Sequence, residues 1–109
     1  MPKFDFDSFF KELKNGIKEI AKTEAADFVK EATSDGKDFL NTIKADLKKW
    51  TRQLAEGKLS EDDFEFLVRG KKDLAEMEAL KQAGLAAIRV DRIRVAVIDL
   101  ILSASEKLV

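Results

Sequence analysis

Apolar residues recur along the first half of the chain at Phe6, Phe10, Leu13, Ile17, Ile20, Phe28, Ala32, Phe39, Ile43, Leu47, Trp50 and Leu54. The steps are mostly three or four residues, the spacing that puts successive side chains on one face of an α-helix. With Glu24 and Gly36 included, the series from 6 to 54 takes 13 steps over 48 residues, a mean of 3.69 per step. Phe9, Ala21 and Leu40 lie alongside this stripe, and Glu24 interrupts it. Asp5, Asp7 or Ser8 is suited to cap the start. Because the phase is kept, the pattern predicts one long helical arm, with Gly36 as a kink or a point of close packing. A true break at Thr33-Ser34-Asp35-Gly36 is the alternative, with Ser34 or Asp35 capping a new helix.

The stripe ends at Leu54-Ala-Glu-Gly-Lys-Leu-Ser-Glu-Asp-Asp-Phe64, where the turn signals concentrate. Gly57 suits the residue just past a helix end, where a positive φ costs glycine little. Ser60 suits an N-cap, and Asp63 stands where a capping box carries Glu or Gln. Glu61, Asp62 and Asp63 put negative charge on the first turn of the next helix, where the helix dipole favours it. Leu59 and Phe64 occupy the two positions of a hydrophobic staple. A turn at 57–60 between long helices makes them antiparallel neighbours.

The second half is less regular. Phe64, Leu67, Leu74, Met77, Leu80, Leu85 and Ile88 follow the turn. One heptad row reads Leu67, Leu74, Lys81, Ile88, Val95, Leu102 and Val109; another reads Gly70, Met77, Gly84, Asp91, Ile98 and Ser105. Together they predict a coiled-coil seam interrupted at Lys81 and Asp91. Gly84 would either allow close helix approach or end a helix. From Val90 to Leu102 the chain is apolar nearly all round, which predicts a helix buried by more than one neighbour. Its β-branched residues also suit a strand, but no second strand is there to pair with it.

The expected fold is therefore all-α, with 1–109 as a single domain: an antiparallel helical hairpin or bundle about the turn at 57–60. Two closures are open. Arms of about 75 Å, at 1.5 Å per residue, would form an extended hairpin that dimerises into a four-helix section. Reversal at Gly36 and Gly84 would instead close a monomeric four-helix bundle about 35–40 Å long. The extended hairpin dimer is preferred, since the stripe keeps phase through Gly36 and the one proline, Pro2, stops neither arm. Antiparallel register about residue 58 sets Lys81 opposite Asp35 and Glu24 opposite Arg92, so charges on the stripes, Asp91 among them, are expected to pair across helices.

Charge narrows the function. Charged residues make up 38% of the chain with a net charge of −1, acids and bases interleaved. That favours long solvated helix faces and gives no general electrostatic grip on nucleic acid. There is no histidine, cysteine or tyrosine. The commonest general base, the thiolate nucleophile and the commonest metal ligand are thereby missing, as are disulfides. The five glycines never approach closer than 13 residues, so no glycine-rich phosphate loop exists. No catalytic residues, metal or cofactor are expected, and the protein is read as not an enzyme. With no apolar signal core at the start and no apolar run long enough for a bilayer, the expected compartment is the cytoplasm.

One surface feature stands out. Lys44, Lys48, Lys49 and Arg52 precede the turn and Arg69, Lys71 and Lys72 follow it, so the register brings both groups near Trp50 as an anion-binding candidate. Against this, Trp50 falls on the apolar stripe, and the ordinary role of such a residue is core packing. The composition and patterning point first to a helical interaction or scaffold protein, whose partner is a second copy or another helical protein. Reversible binding to a lipid or other hydrophobic surface through amphipathic helices ranks second, because acids accompany the lysines throughout. Nucleic-acid binding around Trp50 ranks third.

Overall fold

Asp5 begins the first helix as expected: its carboxylate accepts from the Asp7 N–H at 3.1 Å and from the Ser8 hydroxyl at 2.7 Å. In the computed structural model, which describes residues 4–108, α1 runs Phe6–Glu24 and buries Phe6, Phe9, Phe10, Leu13, Ile17 and Ala21. The chain then turns back. Ala25 leaves the helical region at φ −141° and ψ 53°, a 3-10 turn spans Ala26–Phe28, and α2 (Val29–Thr42) returns antiparallel along α1. The long first arm is thus folded at 25–28, eight residues or more before Gly36. No glycine or proline marks the place, and the tertiary structure imposes it. Ala25 is fully buried, and the Arg89 guanidinium donates to the Glu24 carbonyl at 3.4 Å and to the Asp27 carboxylate at 3.0 Å. Glu24 interrupts the stripe because the helix ends there.

Gly36 is the point of close packing, not a turn. Helix α2 passes through it, and a Cβ placed there would lie 2.7 Å from Ile17 Cγ2 of α1. The helix bends at Ile43 (φ −102°, ψ 10°) and continues as α3, Lys44–Ala55, with the Leu47 N–H still donating to the Ile43 carbonyl at 2.9 Å. Every residue of the stripe from 6 to 54 is buried or half-buried. Thr51, fully buried on α3, satisfies its hydroxyl by donating to the Leu47 carbonyl at 2.7 Å.

The central turn forms as read. Gly57 has φ 74°; its N–H donates to Leu54, and the Lys58 N–H reaches back to Gln53 at 2.8 Å, which closes α3 with paired reverse hydrogen bonds. Ser60 caps α4, Glu61–Arg69, its hydroxyl accepting from the Asp63 N–H at 3.1 Å. Leu59 and Phe64 both join the core. Beyond α4 the helix is interrupted by a 3-10 turn at Lys72–Leu74 and resumes as the short α5, Glu78–Gln82. Gly84, at φ 93°, ends α5 with the same paired hydrogen bonds, Leu85 to Leu80 and Gly84 to Lys81. Buried Leu80 and Leu85 are the apolar pair that accompanies this ending. Helix α6 then runs Ala87–Ser105.

The result is an up-down-up-down bundle of four segments, 6–24, 29–55, 61–82 and 87–105. Glu12 meets Lys107 and Asp27 meets Arg89, Asp46 meets Lys71 and Asp35 meets Leu80, and Arg69 meets Asp99 and Lys72 meets Asp91, so in each pair of neighbouring segments the numbers run in opposite directions. The principal extents are 45 × 23 × 19 Å, close to the roughly 40 Å that 27 helical residues span. The all-α architecture agrees with the sequence. The extended arms of about 75 Å do not occur in this chain, because both arms reverse, the first at 25–28 and the second at 83–86.

Two further expectations need correction. The heptad row does not form a coiled-coil seam: the breaks at 70–77 and 83–86 scatter it, leaving Leu74, Ile88 and Val95 exposed, with Val109 outside the described residues. The α6 surface facing the core is instead Val90, Ile93, Val97, Ile98, Ile101 and Ala104. The antiparallel register is right to within a turn, but the partners differ. Asp35 reaches the segment carrying Lys81, yet its carboxylate accepts from the Ala79 and Leu80 N–H groups, at 3.1 and 2.8 Å, while Lys81 is exposed. Opposite Glu24 stands Arg89 and not Arg92. Short-range amides at a helix start satisfy a buried carboxylate without desolvating a lysine. Asp91 pairs across helices as expected, with Lys72.

Candidate interaction surface

The seven basic residues around Trp50 do not form one site. Lys71 lies 5.7 Å from the Trp50 ring centre and 3.0 Å from the Asp46 carboxylate. Arg69 is held by Glu65 at 3.3 Å and Asp99 at 3.7 Å, and Lys72 by Asp91. Lys44 sits 4.9 Å from the ring centre of Phe10, which Lys14 also approaches at 5.0 Å. These four are engaged within the bundle. Trp50 itself packs against the core but is only half-buried, so it is less enclosed than its place on the stripe implied.

The remaining three, Lys48, Lys49 and Arg52, are exposed on the outer face of α3, opposite Leu47, Thr51 and Leu54. No carboxylate among the described residues lies within salt-bridge distance of them. They line an open concavity of about 540 Å³ together with Ala45, Gln53, Glu56 and Lys58. Glu56 is its one carboxylate and lies 3.6 Å from Lys58, so four cations face one anion. The aliphatic stems of the lysines and arginine, with the Ala45 methyl, give the hollow apolar walls below a charged rim. Gly57 and Ser60 close one end of this region by setting the turn.

Across the turn, the outer face of α4 has the opposite character. Glu61, Asp62 and Asp63 are exposed and have no basic partner within salt-bridge distance among the described residues. Phe66 follows Asp62 by four residues and Asp63 by three, so the three share a face, and the Phe66 side chain is 77% exposed. Phe66 lies off both the apolar stripe and the heptad rows of the sequence. The signal was present: Phe64 and Phe66 stand two residues apart, so a helix that buries one must turn the other away. Ile88, at 72% exposure, Leu74 and Val95 are the other large apolar side chains left in solvent among the described residues.

Elsewhere, titration is perturbed at the Asp27–Arg89 pair. The Arg89 hydrogen bond holds the Asp27 carboxyl below its ordinary value, and Asp27 raises the guanidinium in turn. The Ser8 hydrogen bonds hold Asp5 down likewise. Both belong to helix ends and serve the fold. Among the described residues, no helix is long and apolar enough to cross a membrane. No protein-family model, curated protein or solved structure matches the chain.

Proposed function

We propose that this chain is a non-enzymatic helical interaction module that associates through the outer faces of its helices, with a second copy of itself as the first partner. The observation that carries this reading is the solvent exposure of Phe66 and Ile88 on a bundle whose core is already closed. Large apolar side chains left outside a complete core are what contact surfaces are made from. Histidine, cysteine and tyrosine are missing from the sequence, and the concavity on α3 is lined by four cations and a single carboxylate, Glu56, which weighs against chemistry at that place.

Sedimentation velocity over a wide concentration range tests the reading. A sedimentation coefficient that rises with concentration, reversibly, toward that of a 24.6 kDa dimer (twice 12.3 kDa) is the expected result. A chain that stays monomeric at every concentration, with or without salt, contradicts self-association.

A further inference from the structure

We infer that Phe66 and the acidic turn before it dock into the basic concavity of α3 on a second copy of this chain, reciprocally about a two-fold axis. The inference rests on the self-association reading and names the surface that performs it. The two halves of the contact are both present on one chain. The hollow on α3 is rimmed by Lys48, Lys49 and Arg52, which have no carboxylate partner within salt-bridge distance among the described residues. The projection on α4 is Phe66, with Asp62 and Asp63 on its own face and Glu61 beside them, equally without a basic partner within salt-bridge distance among the described residues. An aromatic ring flanked by carboxylates complements a hollow with aliphatic walls and a cationic rim. The ring fits against the lysine and arginine stems and under their charges, and each carboxylate meets a cation.

The contact cannot close within one chain. Helices α3 and α4 are antiparallel neighbours joined by the short turn at Gly57, and both surfaces lie on outer faces that point to solvent. A two-fold axis solves this, since each copy offers one hollow and one projection and every contact is made twice. The net charge of −1 opposes the approach of two copies only weakly, so the local complementarity decides the encounter. It also disfavours nucleic acid as occupant, because the acidic turn lies just across Gly57 from the basic rim.

Charge reversal tests the pairing. Lys48→Glu/Arg52→Glu makes both surfaces of a chain acidic, and Asp62→Lys/Asp63→Lys makes both basic. Sedimentation of each alone, of their equimolar mixture and of the wild type reads the outcome, with circular dichroism confirming helix content. The expected result is association of the wild type, loss of it in each reversed variant, and recovery in the mixture, where opposite charges meet at both contacts. Phe66→Ser, at an exposed position that leaves the core untouched, is expected to weaken association by at least about tenfold. It serves as the second variant if a charge reversal unfolds the chain. A wild type that dimerises while Phe66→Ser and both reversed variants dimerise equally well overturns this surface and leaves self-association standing. A wild type that stays monomeric overturns both. A monomeric wild type whose α3 face instead binds an acidic peptide or duplex DNA in a low-salt titration gives the hollow another occupant, and the proposal falls.

Discussion

Asp35 is the residue whose removal the bundle should tolerate least for its size. It is 7% exposed on α2, and its two carboxylate oxygens each accept one backbone N–H, from Ala79 and Leu80, across 44 and 45 residues of chain. Helix α5 has no side-chain cap of its own, because Met77 precedes it in the left-handed region at φ 55°. Asp35 therefore supplies from another segment the acceptor that an N-cap normally supplies locally. In Asp35→Ala the Leu80 amide, in a fully buried residue, loses its acceptor without gaining water, while the half-buried Ala79 amide is partly rehydrated. A hydrogen bond to a charged group contributes about 1.5–3 kcal/mol, and a buried unsatisfied donor costs about 1–3 kcal/mol. With one amide fully and one partly lost, the variant should be less stable by about 2–4 kcal/mol. A domain of this length has on the order of 5–15 kcal/mol in total, so the loss is a substantial fraction.

Urea unfolding followed by circular dichroism measures it. With a slope of about 1–2 kcal/mol/M, the midpoint should fall by roughly 1–4 M. Asp35→Asn keeps one acceptor but turns an NH2 toward the second amide, so its loss should approach that of alanine. Lys81→Ala, which removes the ammonium the register had set opposite Asp35, should shift stability by less than about 0.5 kcal/mol, as exposed substitutions do. Equal losses in Asp35→Ala and Lys81→Ala would mean the carboxylate is held by the lysine and that the capping geometry is wrong. No loss in either would refute the latch altogether.

Gly36→Ala should destabilise by up to about 2 kcal/mol in the same assay: crowding against buried Ile17 costs about 1–3 kcal/mol, offset by the roughly 1 kcal/mol that alanine gains in a helix. A stabilised variant would mean α1 and α2 do not approach so closely. Ser60→Ala should lose about 1 kcal/mol with its N-cap, and Gly57→Val at least as much, since a β-branched residue is strained at φ 74°; unchanged midpoints in both would misplace the turn. The Asp27–Arg89 pair carries a pH signature. Because the folded-state pKa of Asp27 lies below its ordinary 3.8, its contribution is fully present above that value and is lost as pH falls through the folded one. The stability difference between wild type and Asp27→Asn should therefore shrink on acidification below about pH 4, and a difference that grows there contradicts the pairing.

Much of this fold is legible in the chain because local signals and tertiary packing agree at the turn. Gly57 and Ser60 are held by hydrogen bonds to residues at most four positions away, which is why spacing alone locates them. The periodic stripe likewise selects the inward positions from 6 to 54. Its phase carries no information on direction, however, and it runs unbroken through the reversal at 25–28. That reversal is held by Arg89, more than 60 residues away, and by the burial of Ala25, neither of which leaves a local mark. In the second arm the heptads mislead for a related reason. Residues 70–77 leave the helix although nothing but Gly70 weakens it, because Asp35 and Arg94 hold the backbone of 75–80 from other segments. The basic candidates divide on the same ground: Lys44, Arg69, Lys71 and Lys72 meet partners that sequence distance hides, while the phase of α3 itself turns Lys48, Lys49 and Arg52 to solvent.

The closed bundle sets which helix faces remain outside, so the reversal at 25–28 is the point to test. The sequence contains no cysteine, and the exposed pair Asn15→Cys and Asp38→Cys therefore allows two specific spin labels, one on α1 and one on α2. Diluting labelled chains into unlabelled ones leaves only distances within a chain for pulsed dipolar spectroscopy to read. In the bundle the two positions stand at similar height on neighbouring antiparallel helices, whose axes lie about 8–10 Å apart, and a distribution centred well below about 30 Å is expected. A single helix through Ala25–Phe28 would separate them by 23 residues, about 35 Å at 1.5 Å per residue, and a distribution centred there would contradict the fold described.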